Sequence, residues 1–529
     1  MYIRKKPNKS GSISVQIIDT SGEYDRLIKT IGCTKDTEKI KELIEQAHSF
    51  ISNYTHQTEL VFEYNEDKDF LSSLNSGLKN IQMIGPELIL GKLFDQIGFN
   101  KIPDDLFRHL VISRLVFPLS KLKTSEYLMR YRNISVDADQ IYRYLDKLES
   151  QQKQIVEQIS YNHTLQLFDG HLSIVFYDVT TLYFESPDED DLRKTGFSKD
   201  GKHQCPQIVL GLLVSIEGYP LAYEIFEGNK FEGNTMLPVI DAFKQKYSLD
   251  KLVVIADAGL LSNKNIRELI DRGYEFILGG RIKNESDKIK QKIISHQFKD
   301  GKSMVINRSK GIRLIVGYSS SRAKKDVHNR KRGLKKLEKS LERGTLNKQH
   351  INNRGYNKYL RIDGKITLSI DYEKFEADGI WDGLKGYITN SKLDKEKVIK
   401  NYKQLWQIEK AFRISKTDLR VRPIYHRLSK RISAHIIIAF CAYKLYKELE
   451  RQLREKNSRL SPTKAIDNMK TIYRLQVKLP KSQKEATILF AQEEEQVELL
   501  KLFNIQATLN YPVAENRRSK LAIHFKLLR

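Results

Sequence analysis

Twice along the chain an apolar run, almost unbroken in the first case and wholly apolar in the second, ends on an aspartate, and this repetition limits what the chain can fold into. Leu172–Tyr177 is followed by Asp178, and Leu252–Ala256 by Asp257. Short runs rich in β-branched and aromatic residues, without polar alternation, are the pattern of strands buried on both faces. An aspartate at the mouth of such a strand is held rigidly by the sheet and still reaches solvent, which suits a metal ion. For Asp178 alone, the plain alternative is a strand that simply stops at an acidic residue.

The segments between and around these strands predict their order. Ile208–Ile216 reads as a second buried strand and Leu221–Phe226 as a third, joined by the turn Gly218-Tyr219-Pro220. Asn234–Tyr247 reads as a helix. A further helix capped by Ser262 runs to Arg272 and stops at Gly273, before a fifth strand at Tyr274–Leu278. Three strands, helix, strand, helix, strand is the order of the ribonuclease-H-like fold, which sets the ends of strands one and four side by side. Residues 284–392 then interrupt this order with strand-like pieces at Met304–Ile306, Arg313–Tyr318, Lys365–Ile370 and Gly386–Thr389. From Arg322 to Arg361 there are 14 Lys/Arg against three acids, net +11 in 40 residues. A charge run is usually a solvated helix face. Inside an insertion and alternating with Tyr356 and Tyr359, this one favours phosphate contact, with Lys335, Lys336 and Lys339 as representative residues.

Asp394–Lys416 reads as one long helix. Tyr402, Glu409 and Lys416 are seven apart and line up along one face at 3.6 residues per turn. Glu409 is flanked by Trp406, Ile408, Ala411 and Phe412, where a carboxylate is costly unless paired or bound to metal. A surface Glu409 paired with Lys416 or Arg413 is the alternative. Asp178, Asp257 and Glu409 together form the kind of cluster that two-metal phosphoryl chemistry requires. Oxygen donors, and the absence of paired cysteines among Cys33, Cys205 and Cys441, favour Mg²⁺ or Mn²⁺ over Zn²⁺.

The flanks are less specific. Ser12–Ile18 and Arg26–Ile31 predict a β-ribbon with a basic arm, followed by a helix over Thr37–Ile51. From Gly85 to Lys153 three short helices, at Pro103–Pro118, Ser120–Tyr131 and Asp137–Leu148, are compatible with a helix-turn-helix DNA reader or with an ordinary helical domain. Ile432–Leu449 is a very apolar helix, read as internal packing. The last 75 residues hold a strand at Tyr473–Val477 and a helix at Glu493–Phe503. The apolar face of that helix (Val497, Leu500, Phe503) is the candidate for contact between protomers. A basic tail with Arg517, Arg518 and Lys520 follows. The net charge of +25 calls for a polyanion, and nucleic acid comes first. No stretch approaches the ~20 apolar residues of a membrane span, and the N-terminus lacks the apolar core of a signal peptide.

At these residues the chain resembles the DDE transposases of bacterial insertion sequences, in the branch whose third acid lies in a Y-x2-R-x3-E-x6-K signature. Tyr402, Glu409 and Lys416 match it, while Leu405 stands at the arginine position. YDVTTLYFE, GFSKDGKHQCPQIVLGLLV, EGYPLAYEIFEGN and VVIADAGLLSNKNI also look like that family, and the resemblance spans about residues 165–445. It implies an α/β multidomain protein with a ribonuclease-H-like catalytic core (165–283 and 393–450) interrupted by a mostly β insertion domain (284–392). A β-ribbon arm (1–60), a helical N-terminal DNA-binding region (61–164) and a helical C-terminal region (451–529) complete the expected organisation. It further implies a bacterial, cytoplasmic, nucleoid-associated enzyme that cleaves and joins double-stranded DNA, at transposon ends and target, as a homodimer. Asp178, Asp257 and Glu409 would hold Mg²⁺, with Mn²⁺ able to substitute. Tyr402, Lys416 and Arg413 would contact DNA phosphates, and Trp381 and Trp406 would hold a flipped base. A catalytically inactive DNA-binding regulator, or a ribonuclease-H-like nuclease without strand transfer, are the competing readings.

Overall fold

In the computed structural model residues 1–505 are described, apart from 23, 56–71, 74, 261, 348–349, 353–354, 364–366 and 480–481. The basic tail therefore lies outside the described residues. The described chain divides into two units, Met1–Gly77 and a much larger one from Leu78 onward. In the first, β1 (Tyr2–Pro7), β2 (Ile13–Asp19) and β3 (Arg26–Thr34) form an antiparallel three-stranded sheet. Val15 and Ile17 of β2 pack against Ile40 and Ala47 of α1 (Thr37–Thr55). The expected ribbon thus gains a strand, because the basic stretch at Tyr2–Pro7 also pairs, in register with β2.

The large unit starts with β4 (Leu78–Met83) and a set of helices that includes α2 (Asp105–Val116), α3 (Lys121–Arg132) and α4 (Ala138–Lys147). Their starts were legible because Asp104, Ser120 and Asp137 each accept a hydrogen bond from a backbone N–H of the first turn. β5 (Ile174–Tyr183), β6 (Gln207–Ser215) and β7 (Pro220–Glu227) follow as an antiparallel meander. After α5 (Met236–Lys246) comes β8 (Val253–Ala256), and after α6 (Asn263–Asp271) comes β9 (Glu275–Gly280). β8 is parallel to β5, and β9 is parallel to β8.

Beyond β9 the structure departs from a separate β insertion. β10 (Ser303–Asn307), β11 (Arg313–Tyr318) and β14 (Leu384–Thr389) extend the same sheet, giving the eight-stranded order β10-β11-β14-β9-β8-β5-β6-β7. Only β12 (Leu360–Asp363) and β13 (Thr367–Ile370) stand apart as a ribbon. Much of the basic run is one 23-residue helix, α7 (Ser320–Glu342). It packs Leu337 on Tyr359, Leu360, Ile370 and Phe375 in a small core of its own.

Both faces of the main sheet are covered. Phe176, Leu182, Ile255 and Ile277 point to one apolar layer, and Val175, Tyr177, Val254 and Phe276 to the other, so successive residues alternate between two cores. That alternation is why the strands read as unbroken apolar runs.

The chain returns as α8 (Lys395–Lys403) and α9 (Trp406–Thr417), two helices where one was expected. At the join, Gln404, Leu405, Gln407 and Ile408 make i→i+3 backbone bonds, a 3₁₀ tightening that turns the face of Glu409 away from strict alignment with Tyr402. α10 (Ser429–Glu455) is internal, as expected, with Ile432, Ala434, Ile438, Cys441, Ala442, Leu445 and Leu449 buried. Next, β15 (Tyr473–Lys478) pairs with β4 and with β16 (Glu485–Phe490). Of the apolar face offered for protomer contact at α11 (Glu494–Leu502), Leu500 and Phe503 are buried within the chain and Val497 is half-buried.

Candidate active site

Asp178 and Asp257 meet because β5 and β8 run parallel in register. Tyr177 lies opposite Ala256, and each aspartate is the next residue. The expectation that the first strand ends at Asp178 is corrected here. β8 ends at Ala256, but β6 continues to offer ladder partners, with Asp178 opposite Leu212 and Tyr183 opposite Gln207. β5 therefore runs five residues further, and Asp178 sits at the step left by its shorter neighbour. It shares the face of Phe176 and Leu182, the face on which α9 packs.

The surroundings of Asp178 are cramped and charged. Its Oδ1 accepts the N–H of Val179 at 2.8 Å. Burial pushes the carboxyl up to about 6; Lys199 and the Val179 N–H hold it down, while Asp257 and Glu232 add to the rise. Lys199 donates to the carbonyl of Val179 at 2.8 Å and pairs with Glu232 at 3.0 Å. Its own backbone N–H is fixed on Thr181 Oγ1 at 3.2 Å.

Asp257 is exposed, and the Tyr402 hydroxyl donates to its Oδ1 at 3.1 Å. Burial, then the Asp257 charge, push the Tyr402 phenol well above its ordinary value, so it stays a donor. Gly279 makes this reach possible, since a Cβ there would stand 2.5 Å from the Tyr402 hydroxyl oxygen. Lys385 on β14 lies 4.5 Å over the Tyr402 ring. Burial and then Arg322 hold its ammonium below the usual lysine range, against the pull of Asp257 and Glu409. Lys385 thus lies within electrostatic range of both acids, without a direct ion pair to either among the described residues.

Glu409 is exposed on α9. Trp406 beside it is 47% exposed, with Lys410 Nζ 5.6 Å from the indole. Lys416, the alternative partner of Glu409, pairs instead with Asp200 at 3.2 Å, where Arg422 joins it at 2.7 Å. The hydroxyl of Tyr402 and the ammonium of Lys416, both expected at DNA phosphates, are therefore engaged with carboxylates of the protein itself. Arg413 is exposed, and Trp381 is partly buried against the core on the other face of the sheet. Lys335, Lys336 and Lys339 all lie on the exposed side of α7, away from Asp178 and Asp257 in sequence and carried by their own small core.

Among the described residues no group of three or more His, Cys, Asp or Glu side chains is arranged to hold a metal ion. The two aspartates come together; Glu409 does not close a cluster with them. Lys199, Glu232 and Lys385 were missed from the sequence. Lys199 sits in a polar stretch that reads simply as loop, and Lys385 on a strand whose place in the sheet no local pattern reveals. Glu232 carried a signal, because the tripeptide Glu-Gly-Asn occurs twice, at 227–229 and 232–234.

Residues 169–445, more than half of the chain, match the family of transposase DDE domains. No curated protein matches. Among solved structures the chain is similar to a piggyBac transposase synaptic complex with hairpin DNA. The identity is 10% and the TM-score 0.35, over 73% of this chain and 76% of that one. It is also similar to a Mos1 transposase paired-end complex with the left transposon end, at 12% identity and TM-score 0.15, over 30% of this chain and 53% of that one.

Proposed function

The chain belongs to the transposase DDE-domain family, and we propose that it binds the terminal inverted repeats of an insertion sequence, cleaves the ends by metal-dependent hydrolysis and transfers the 3′ strands into target DNA. The observation that carries this reading is the pair Asp178 and Asp257, set level on adjacent parallel strands, with neither carboxylate in a direct ion pair among the described residues. β7-β6-β5-β8-β9 is read as the ribonuclease-H-like core, with β10, β11, β14 and α7 inserted before the third acid.

The donor set suits a hard divalent cation. Both strand-end ligands are carboxylates, and the raised Asp178 carboxyl reflects a charge that a cation would compensate. Asp178, Asp257 and Glu409 would hold Mg²⁺, with Mn²⁺ able to substitute. When bound, such ions supply polarisation of the scissile phosphate and an activated hydroxyl nucleophile. The chain's own residues do the rest. Tyr402 keeps Asp257 aimed into the site. Lys199 ties the backbone after Asp178 to Glu232, fixing the carboxylate's direction. Lys385 screens Asp257 from Glu409, and Glu409 draws in over the pair when DNA enters. Arg413, Lys416 and the exposed lysines of α7 bind phosphates, and Trp406 and Trp381 receive an unstacked base. Two ends joined at one target require two protomers, each contributing one site.

The test is incubation of the full chain with a linear fragment carrying its own element's ends, with and without Mg²⁺. Strand cleavage at the terminus only with the metal is the expected result. Tight end binding with no cleavage in either condition would favour the DNA-binding regulator.

A further inference from the structure

Beyond the far end of β5 lies a second charged site, with the opposite sign. A cavity of about 460 Å³ is lined by Arg114 on α2, by Ser120 and Lys121 at the start of α3, by Arg420 and His426, and by His435 on α10. Among the described residues no carboxylate lines it. Arg114 is 6% exposed and Lys121 5%, yet among the described residues neither side chain has an ion pair or a hydrogen bond to the protein. Buried cations are almost always paired, because desolvation of a lone charge is so unfavourable. Arg422 also touches the cavity, but it is already paired with Asp200.

The rest of the lining agrees. The Nε2–H of His435 donates to the carbonyl of Val421 at 3.1 Å, leaving a buried Nδ1 without a partner. Burial, with Lys121 and Arg114 beside it, lowers His426 to about 3. Lys121 itself is held well below the lysine range by burial and by Arg114. Setting aside the paired Arg422, five positive or protonatable groups (Arg114, Lys121, Arg420, His426 and His435) therefore crowd one cavity, with nothing negative among the described residues that line it. Such a lining is incomplete without an anion.

We propose that this cavity is a phosphate-binding site that seats a backbone phosphate of the transposon-end DNA at the far end of β5, several base-pair steps from the carboxylates. The proposal rests on the chain acting on DNA ends as argued above. Its location follows from the fold. Ile424 donates its N–H to the carbonyl of Tyr183 at 3.0 Å, and Phe184 pairs with Ile424, so the segment carrying Arg420 and His426 lies along the end of β5. Tyr183 is five residues beyond Asp178, about 17 Å at strand spacing. That distance corresponds to about five base-pair steps measured along the axis of B-DNA. A phosphate held there would fix the register of the duplex while the scissile bond lies at Asp178. Free inorganic phosphate offers the same chemistry and is the rival source.

The experiment uses the full chain and a duplex bearing its element's terminal repeat, with single phosphates replaced in turn by neutral methylphosphonates. Binding is followed by fluorescence anisotropy across salt. One replacement within about five steps of the cleavage site should weaken wild-type binding by about tenfold, and Arg114→Gln/Lys121→Gln should lose the same factor with no further loss at that position. The slope of log K against log salt should become shallower by about 0.9, one phosphate's share. Without DNA the double variant should melt no lower than wild type, since it removes buried unpaired charge. If it fails to fold, Arg420→Gln at the exposed rim is read instead, with the same site-specific insensitivity on a smaller scale. Wild-type affinity and slope in the variants would overturn the proposal. So would stabilisation of wild type by inorganic phosphate with DNA binding unaffected in the variants. A wild-type chain that binds no end at all would overturn the functional reading itself, whereas binding without the variant effect overturns only the pocket.

Discussion

The central strands and the long helix α7 both concentrate charge, but under different physical constraints. On β5 and β8 two carboxylates are held level by the register of the sheet, one of them buried enough to stand near 6. On α7 the charges are many, and Lys335, Lys336 and Lys339 all face solvent. Bringing two like charges together in a partly buried place is unfavourable, so it has to be imposed by a rigid scaffold. Spreading lysines along an exposed helix is nearly free. On the proposed function, the first arrangement would specify where chemistry happens, and the second would add attraction for DNA without saying where. If this contrast is right, substitutions in the two regions should fail in different ways.

The largest effects belong to the carboxylates. Asp178→Ala, Asp257→Ala and Glu409→Ala should each lower strand cleavage by about 10³-fold or more, the scale on which removing one essential group acts. End binding on a native gel should be retained. Cleavage near the wild-type rate by any one of them would remove that residue from the metal set and, for Glu409, leave the aspartate pair to act alone.

Acidity should sharpen the contrast next. In the metal-free chain burial raises Asp178 to about 6, so on the acid side of that value protons compete with the metal for the carboxylate, and cleavage at limiting Mg²⁺ should fall as pH drops. Lys199 opposes the rise, so Lys199→Met should move the midpoint upward. For stability the sign is reversed from the familiar case. The folded chain holds this proton more tightly than the unfolded one, so without metal the Asp178 contribution to stability is lost as pH rises from about 4 to about 6. Melting curves of the metal-free protein and of Asp178→Asn across that interval check it. An unchanged pH–rate profile in Lys199→Met would mean that Lys199 is not close enough to Asp178 to matter.

For α7 the expected failure is graded. Replacing Lys335, Lys336 and Lys339 with Gln should make the salt slope shallower by about 2.7, at about 0.9 per phosphate, and leave the preference for the element's ends untouched. A slope equal to wild type would make α7 plain solvated surface.

The same contrast governs what could be read before any coordinates. The apolar runs before Asp178 and Asp257 were plain because both faces of the sheet are covered, which abolishes alternation. The helix starts at Ser120, Asp137 and Ser262 were plain because capping is local. What stayed hidden depended on partners far along the chain. The passage of β5 through Asp178 is decided by β6, and the position of Lys385 by a strand entering the sheet beyond β9. The 3₁₀ turn at Leu405 has no sequence marker, since Leu is at home in a regular helix. For α7 the marker existed: Leu334, Leu337 and Leu341 recur at helical spacing, and the weight of charge around them obscured it.

The smallest expected effect tests the role of one hydroxyl. The sequence resemblance leads us to expect Tyr402 at a DNA phosphate, whereas its hydroxyl donates to Asp257 Oδ1 at 3.1 Å from a nearly enclosed position. The two roles predict different losses in Tyr402→Phe. If the phenol aims Asp257, the variant should cleave a few-fold to about tenfold more slowly, in keeping with one hydrogen bond of about 0.5–1.5 kcal/mol. Its affinity for the ends and its salt slope should stay as in wild type, and its Mg²⁺ requirement should shift to higher concentration because Asp257 is less well held. If the hydroxyl leaves Asp257 for a phosphate when DNA binds, affinity should fall instead and the Mg²⁺ requirement should not move. Single-turnover cleavage measured over a Mg²⁺ series, alongside anisotropy on the same duplex, separates the two. The ring itself stays in both cases, packed edge-on against Tyr387 at 5.0 Å and under Lys385, so the substitution leaves the surrounding packing in place.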